Sequence, residues 1–197
     1  MTMRIPRLLL RFASLALFAP LTLTASSGAA PLPDNSVYRI PALTLRDQQG
    51  DVFSFASLRG EPRLVSMFYG SCKMVCPLLI ENIKRIEQAV AARGAAPLPV
   101  VLVSFDPEHD DVAMLARVAA NHHLSAPLYR LTTPISGDYG ALAAVLGIAY
   151  RPLPDGGYAH NTVVALLDGE GRVLATTDAA GKPDPAFVAA VVMVAAH

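Results

Sequence analysis

The stretch Phe68-Tyr69-Gly70-Ser71-Cys72-Lys73-Met74-Val75-Cys76-Pro77-Leu78-Leu79 constrains this chain most, because it holds both of its cysteines. An apolar, β-branched and aromatic run, Leu64 to Tyr69, leads in, and a helical pattern leads out from Pro77. The order is strand, turn, helix, with two thiols in the turn. Proline holds the residue before it in extended geometry, so Cys76 is expected at the N-cap and Pro77 at the first helical position. At a helix N-terminus, unpaired N–H groups and the dipole favour thiolate, the form that ligates metals and attacks disulfides.

The spacing is C-x-x-x-C, one residue longer than the C-x-x-C of thioredoxin-type oxidoreductases. Such a loop can splay two thiolates around a metal. It can also close into a disulfide, since Cα atoms four apart in a turn fall within the permitted ~4.4 to 6.8 Å. Two inert buried cysteines, or a structural staple, are the plainer alternatives. A five-residue loop removes little chain entropy, so a staple here would stabilise weakly. Chemistry is the better use of the pair.

Upstream, Met1 to Arg11 carries Arg4, Arg7 and Arg11 without an acid, and Phe12 to Leu23 is nearly all apolar or small. This is a secretory-signal profile. The apolar run is about a dozen residues and contains Pro20, whereas a membrane span needs roughly 20. Residues 1–29 are therefore expected to be cleaved, with Ser27 and Ala29 marking the site, 30–37 to be a linker and 38–197 the folded domain. No cysteine follows the apolar run, so a lipid anchor is not expected; an uncleaved N-terminal segment acting as a membrane anchor is the alternative. The chain has 16 basic and 16 acidic residues, and removing the three signal arginines leaves 13 against 16, a net charge of −3. That balance argues against nucleic-acid binding. The remaining length suits one domain with a real core, expected to be periplasmic and monomeric.

Along the chain, Ala42 to Leu45 and Val52 to Phe55 read as a hairpin around Asp47-Gln48-Gln49-Gly50. Helix Pro77 to Arg93 follows the cysteine turn, and Val100 to Phe105 is an unbroken apolar run suited to a central strand. Asp110 or Asp111 can cap a helix reaching about His123. Tyr129 to Leu131 is a short strand and Gly137 to Leu146 a helix. Tyr150 to Tyr158 reads as a loop that His160 closes. Thr162 to Leu167 and Val173 to Thr177 make a second hairpin, and Asp184-Pro185 opens a last helix. This order predicts an α/β, thioredoxin-like fold: an N-terminal β-hairpin, then a central mixed sheet flanked by helices. If strand Thr162 to Leu167 runs antiparallel to Leu64 to Tyr69, His160 arrives where Cys72 and Cys76 emerge.

Cys72, Cys76 and His160 then form a set of two soft thiolates and one imidazole, which suits copper: Cu(I) prefers thiolates and Cu(II) tolerates nitrogen with sulfur. Zinc competes, but usually takes four ligands, for which Asp106 is the available acid. A lone loop histidine is ordinarily a solvated surface residue, and only its expected neighbours single out His160. His109, after the central strand, is the candidate for a secondary copper contact. His122 and His123 sit near a helix C-terminus, where the dipole favours cations, and His197 is terminal. Asp106 and Asp110 are read as caps of the following helix, or as residues that orient a ligand.

The motif Phe68 to Pro77 resembles the aromatic-led Cys-x-x-x-Cys-Pro motif of the SCO/SenC family, thioredoxin-like copper chaperones of cytochrome c oxidase assembly. Leu45-Arg46-Asp47-Gln48-Gln49-Gly50-Asp51-Val52, Val103-Ser104-Phe105-Asp106-Pro107-Glu108-His109-Asp110, and His160 with Thr162 to Gly171 are similar to family blocks. The resemblance runs from about Tyr38 to the C-terminus. It implies that Cys72, Cys76 and His160 are copper ligands, that Cu(I), Cu(II) or both are carried, and that the partner is a copper-accepting protein such as an oxidase subunit. The chain departs from the family in Lys73-Met74-Val75 between the cysteines, where an acidic pair is common, in a short Tyr150 to Tyr158 segment, and in lacking an evident anchor. In this reading the protein is not an enzyme. The alternative from another class is a thiol-disulfide oxidoreductase, with Cys72 and Cys76 as its redox pair, that keeps partner cysteines reduced for metallation. A peroxiredoxin-like peroxidase is a third reading, set back by its need for a different cysteine motif.

Overall fold

The runs Leu64 to Phe68 and Val100 to Ser104 are buried along their whole length, which strands achieve when both faces are covered. They form the centre of the computed structural model, which describes residues 31–72, 75–178 and 182–196. The expected signal segment, Lys73 and Met74, and His197 lie outside the described residues. In chain order the strands are β1 (Thr44–Asp47), β2 (Val52–Ser54), β3 (Arg63–Phe68), β4 (Val100–Ser104), β5 (Tyr129–Ser136), β6 (Tyr150–Pro152), β7 (Tyr158–His160), β8 (Val163–Leu167) and β9 (Val173–Asp178). The helices are α1 (Val75–Ala91), α2 (Val112–Asn121), α3 (Tyr139–Leu146) and α4 (Pro185–Ala195).

Seven strands form one sheet in the order β2-β1-β5-β4-β3-β8-β9, and β6 and β7 pair separately. β3, β4 and β5 are parallel, joined through α1 and α2. β8 runs antiparallel to β3, with Val65 opposite Ala165 and Arg63 opposite Leu167. The fold is the expected thioredoxin-like one, with the N-terminal hairpin β1-β2 added at an edge through β5. In that hairpin Gly50 takes φ +91°, a conformation glycine adopts without a Cβ penalty, and the Asp47 carboxylate accepts the N–H groups of Gln49 and Asp51. Among the described residues no helix is long and apolar enough to cross a membrane.

Three local differences from the sequence expectations have physical causes. α1 begins at Val75, so Cys76 is inside its first turn and not at the N-cap. The Cys76 N–H donates to Cys72 Sγ at 3.2 Å, and Pro77, at the third helical position, lacks an N–H that would have had no intrahelical partner anyway. β5 continues to Ser136 because β1 pairs along it, Leu45 opposite Pro134 and Asp47 opposite Thr132. The segment Tyr150 to Tyr158 is the turn-and-strand part of a hairpin, not a loop, closed by a Leu153 N–H bond to Gly157 O at 2.8 Å. Its three-residue strands are too short to show alternation. Of the two aspartates expected as alternative caps of α2, Asp111 serves, accepting from the Met114 N–H at 2.8 Å, which leaves Asp110 for another task. At the last helix Asp184 caps and Pro185 begins α4, as the sequence signal implies.

Leu102 sits in the central strand with no exposed surface. Leu102→Ala is expected to lower the free energy of unfolding by about 2–5 kcal/mol, to be read from urea denaturation.

Candidate metal centre

The register that sets Phe68 opposite Ser104 sends the chain out of β3 and β4 side by side at one end of the sheet. Immediately beyond β3 the Gly70 N–H donates to both carboxylate oxygens of Asp110, at 3.0 and 2.9 Å. Asp110 is fully buried and also receives the Ser104 hydroxyl at 2.5 Å. Burial raises its pKa above the ordinary aspartate value, and the Ser104 and Gly70 bonds oppose that rise. A Cβ on Gly70 would lie 2.5 Å from both Asp110 Oδ1 and Met114 Cγ, so the turn requires glycine for space. Cys72 follows, its N–H donating to Tyr69 O at 3.3 Å.

Cys72 is half-buried and Cys76 buried, and the two are not joined in a disulfide. The helix-terminal N–H of Cys76 points at Cys72 Sγ, so the first turn of α1 supports negative charge on that sulfur. His160 ends β7. Its Nε2 lies 4.0 Å from Cys76 Sγ, and its Nδ1 lies 2.9 Å from the Asn161 carbonyl oxygen. A carbonyl only accepts, so Nδ1 carries the proton and the Nε2 lone pair faces the thiols. The pKa of Cys76 is raised, first by hydrogen bonding to Cys72 and then by burial. That of His160 is also raised, first by hydrogen bonding to Cys72, with the Asn161 carbonyl adding and burial opposing. The three side chains thus share protons that a metal ion would displace.

The ligand atoms of Cys72, Cys76 and His160 all lie within 4.8 Å of one another. Donors of a trigonal site with bonds of roughly 2.0–2.3 Å stand about 3.5–4 Å apart, so a small inward movement closes the set. The structure therefore brings together the three residues singled out from sequence. It leaves His109 outside: the ring is largely exposed, with Nδ1 2.8 Å from Asp106 Oδ1. Asp106 is likewise turned away from zinc-type ligation, accepting from His109 and from the Tyr158 hydroxyl at 3.1 Å. His122 follows α2 as its C-cap, its carbonyl accepting from Lys84 Nζ at 2.6 Å.

An aromatic wall surrounds the imidazole, a feature that the reading of single motifs missed. The His160 ring meets Phe105 at 5.1 Å and Tyr69 at 5.7 Å, edge to face, and Tyr158 packs on the same two rings. Burial, then the bond to Asp106, push Tyr158 up to about 12, so it stays a neutral donor. The available signal was an aromatic residue in each segment leaving this end of the sheet: Tyr69, Phe105 and Tyr158. A cleft of about 500 Å³ between Tyr69, Leu153 and Tyr158 opens onto Cys72 and His160. A larger cavity, about 820 Å³, lies against Arg63, Val100 and Leu128, at the opposite end of the parallel strands, and has no cysteine or histidine in its lining.

The SCO1/SenC family model matches residues 39–195. Over 150 residues the chain is 25% identical to the SCO1 protein homolog of Bacillus subtilis (strain 168), covering 75% of this chain and 77% of that one. Among solved structures it is similar to Bradyrhizobium japonicum ScoI with copper bound, at 25% identity and a TM-score of 0.54, covering 78% of this chain and 96% of the other. It also superposes on Arabidopsis thaliana ScoI with copper bound, at 18% identity and a TM-score of 0.64, covering 77% and 94%; at that identity the likeness concerns the fold.

Gly70→Ala is expected to destabilise the protein by about 1–3 kcal/mol, the usual range for overpacking. The Asp110 side chain or the cysteine turn must shift, so thermal unfolding and the reactivity of Cys72 toward a thiol reagent should change together.

Proposed function

This chain belongs to the SCO1/SenC family, and we propose that it is a copper carrier whose Cys72, Cys76 and His160 take up Cu(I) or Cu(II) and hand it to a partner by ligand exchange. The observation that carries the reading is the convergence of two thiols and one imidazole within 4.8 Å. The donor set fits copper: thiolates hold Cu(I), and an imidazole whose free nitrogen faces them completes a site for Cu(II). Three donors leave a coordination position open to an incoming ligand, and the cleft beside Cys72 and His160 admits one. The acceptor in this reading is a copper protein such as the copper centre of cytochrome c oxidase. Export to the periplasm is part of the proposal, supported by the arginine-led apolar segment at residues 1–29.

A second reading has an observation of its own. Cys72 is half-exposed while Cys76 is buried, the asymmetry of an attacking and a resolving thiol. Cys72 thiolate would attack a partner disulfide, and Cys76 would displace the partner as a dithiol, leaving a Cys72–Cys76 disulfide.

Anaerobic titration of the reduced protein with Cu(I) and with Cu(II) separates the two. The carrier reading expects one copper per chain, a thiolate-to-Cu(II) charge-transfer band, and loss of tight binding in Cys72→Ala and in Cys76→Ala. His160→Ala should weaken Cu(II) by about a hundredfold or more, beyond the roughly 10–100-fold that loss of an outer partner costs, with a smaller effect on Cu(I). Wild-type copper affinity in either cysteine variant overturns the dithiolate site; turnover of a disulfide substrate without copper uptake favours the oxidoreductase. Stoichiometric oxidation to the disulfide should abolish loading, because a disulfide sulfur is a far weaker ligand than a thiolate, and equal loading before and after oxidant would put the copper elsewhere.

A further inference from the structure

The segment Ser104-Phe105-Asp106-Pro107-Glu108-His109-Asp110 supplies none of the three donors, yet both halves of the cluster are tied to it. The cysteine turn is tied through Gly70 to Asp110. The Ser104 hydroxyl donates to Asp110 and accepts the Asp106 N–H at 2.9 Å. The Asp106 carbonyl accepts the N–H groups of His109 and Asp110, at 3.2 and 3.0 Å, so the two carboxylates are held in one tight turn. Asp106, 3% exposed, holds the Tyr158 hydroxyl.

Tyr158 and His160 are two apart on β7, so their side chains leave the same face of the strand. The β6–β7 hairpin is not part of the seven-stranded sheet. Its base is tied to the end of α3 by Asn161, through Ala149 and Gly147. Toward the cysteines it is held by ring packing on Tyr69 and Phe105, by hydrogen bonding of the Tyr158 backbone with the Tyr69 side chain and of His160 with Cys72, and by the Tyr158–Asp106 bond, which joins it to the segment after Ser104. Ring packing tolerates sliding, whereas a hydrogen bond to a buried carboxylate has direction and a short range.

We infer that Asp106 and Tyr158 are positioning residues of the copper site: their hydrogen bond sets where His160 stands relative to thiolates that Asp110 and Gly70 locate independently. The inference rests on the copper-carrier reading and adds a division of labour to it. The thiolate pair is placed from one end of the segment and the imidazole from the other, so the Asp106 end governs Cu(II), which needs the imidazole, more than Cu(I).

Tyr158→Phe tests this, because it keeps the ring and removes only the hydroxyl; Asp106→Ala and the double variant complete a cycle. Three readouts apply: Cu(I) and Cu(II) affinity, the position of the Cu(II) charge-transfer band, and the order of the His160 ring in the copper-free protein by NMR relaxation. Each single variant should lose about 10–100-fold in Cu(II) affinity with Cu(I) changed less than about threefold, shift the band and loosen the His160 ring, and the double variant should be no worse than Asp106→Ala. Wild-type Cu(II) affinity, band and ring order in Tyr158→Phe would overturn the inference, and that variant carries the test should Asp106→Ala unfold. If the wild type takes up no copper, or His160→Ala binds Cu(II) as the wild type does, the carrier reading fails instead, and ring order in the copper-free protein still decides whether the bond positions His160.

Discussion

The thiol end of this protein depends on β3 being paired on both edges, in parallel with β4 and antiparallel with β8. Parallel pairing makes β3 and β4 end together, which puts the cysteine turn beside the acidic segment after Ser104. Antiparallel pairing makes β8 begin where β3 ends, and Ser66 Oγ donating to Val163 O at 2.5 Å holds that start in place. Three stretches far apart in sequence therefore leave the sheet at one end. With β3 buried on both faces, a register slip would mismatch close-packed side chains on each face, so the packing of the core holds the convergence in place.

Within that convergence, polar groups buried at the end of the sheet convert proximity into geometry. Asp110 lies in a setting that disfavours its charge, and it is tolerable there because Gly70 and Ser104 direct three hydrogen bonds at its two oxygens. The Asn161 carbonyl does the same for the imidazole by choosing its tautomer. Neither group is a donor to the cluster, and without them the thiols and the ring would be near one another but not mutually oriented. The first turn of α1 adds the N–H that faces Cys72 Sγ, which favours a thiolate at the more accessible of the two sulfurs.

Much of this was legible in the sequence because it is written in local patterns. The apolar run into Cys72, the helical spacing after Pro77, Gly50 in its turn and the Asp184-Pro185 cap are each decided by neighbours a few residues away. The bond from Cys76 N–H to Cys72 Sγ overrode the pre-proline preference and drew Cys76 into the helix. The segment Tyr150 to Tyr158 was read as a loop closed by His160 because the strands it belongs to are three residues long. Asp110 was read as a helix cap or a residue that orients a ligand, without its partner, because its role depends on Gly70, forty residues earlier.

The sequence by itself determined the order of the elements of the main sheet and its helices, the strand-turn-helix context of Cys72 and Cys76, and, through the inferred antiparallel return, the choice of His160. These follow from periodicity and turn chemistry, which act over short spans of chain. Only the tertiary structure decided that His109 stands apart, facing Asp106 and solvent, that Asp110 grips Gly70, and that Tyr69, Phe105 and Tyr158 wall in the imidazole. Those outcomes turn on which way a side chain points after a strand ends, and that is set by long-range packing and by the need to satisfy buried polar groups, neither of which leaves a periodic trace in sequence.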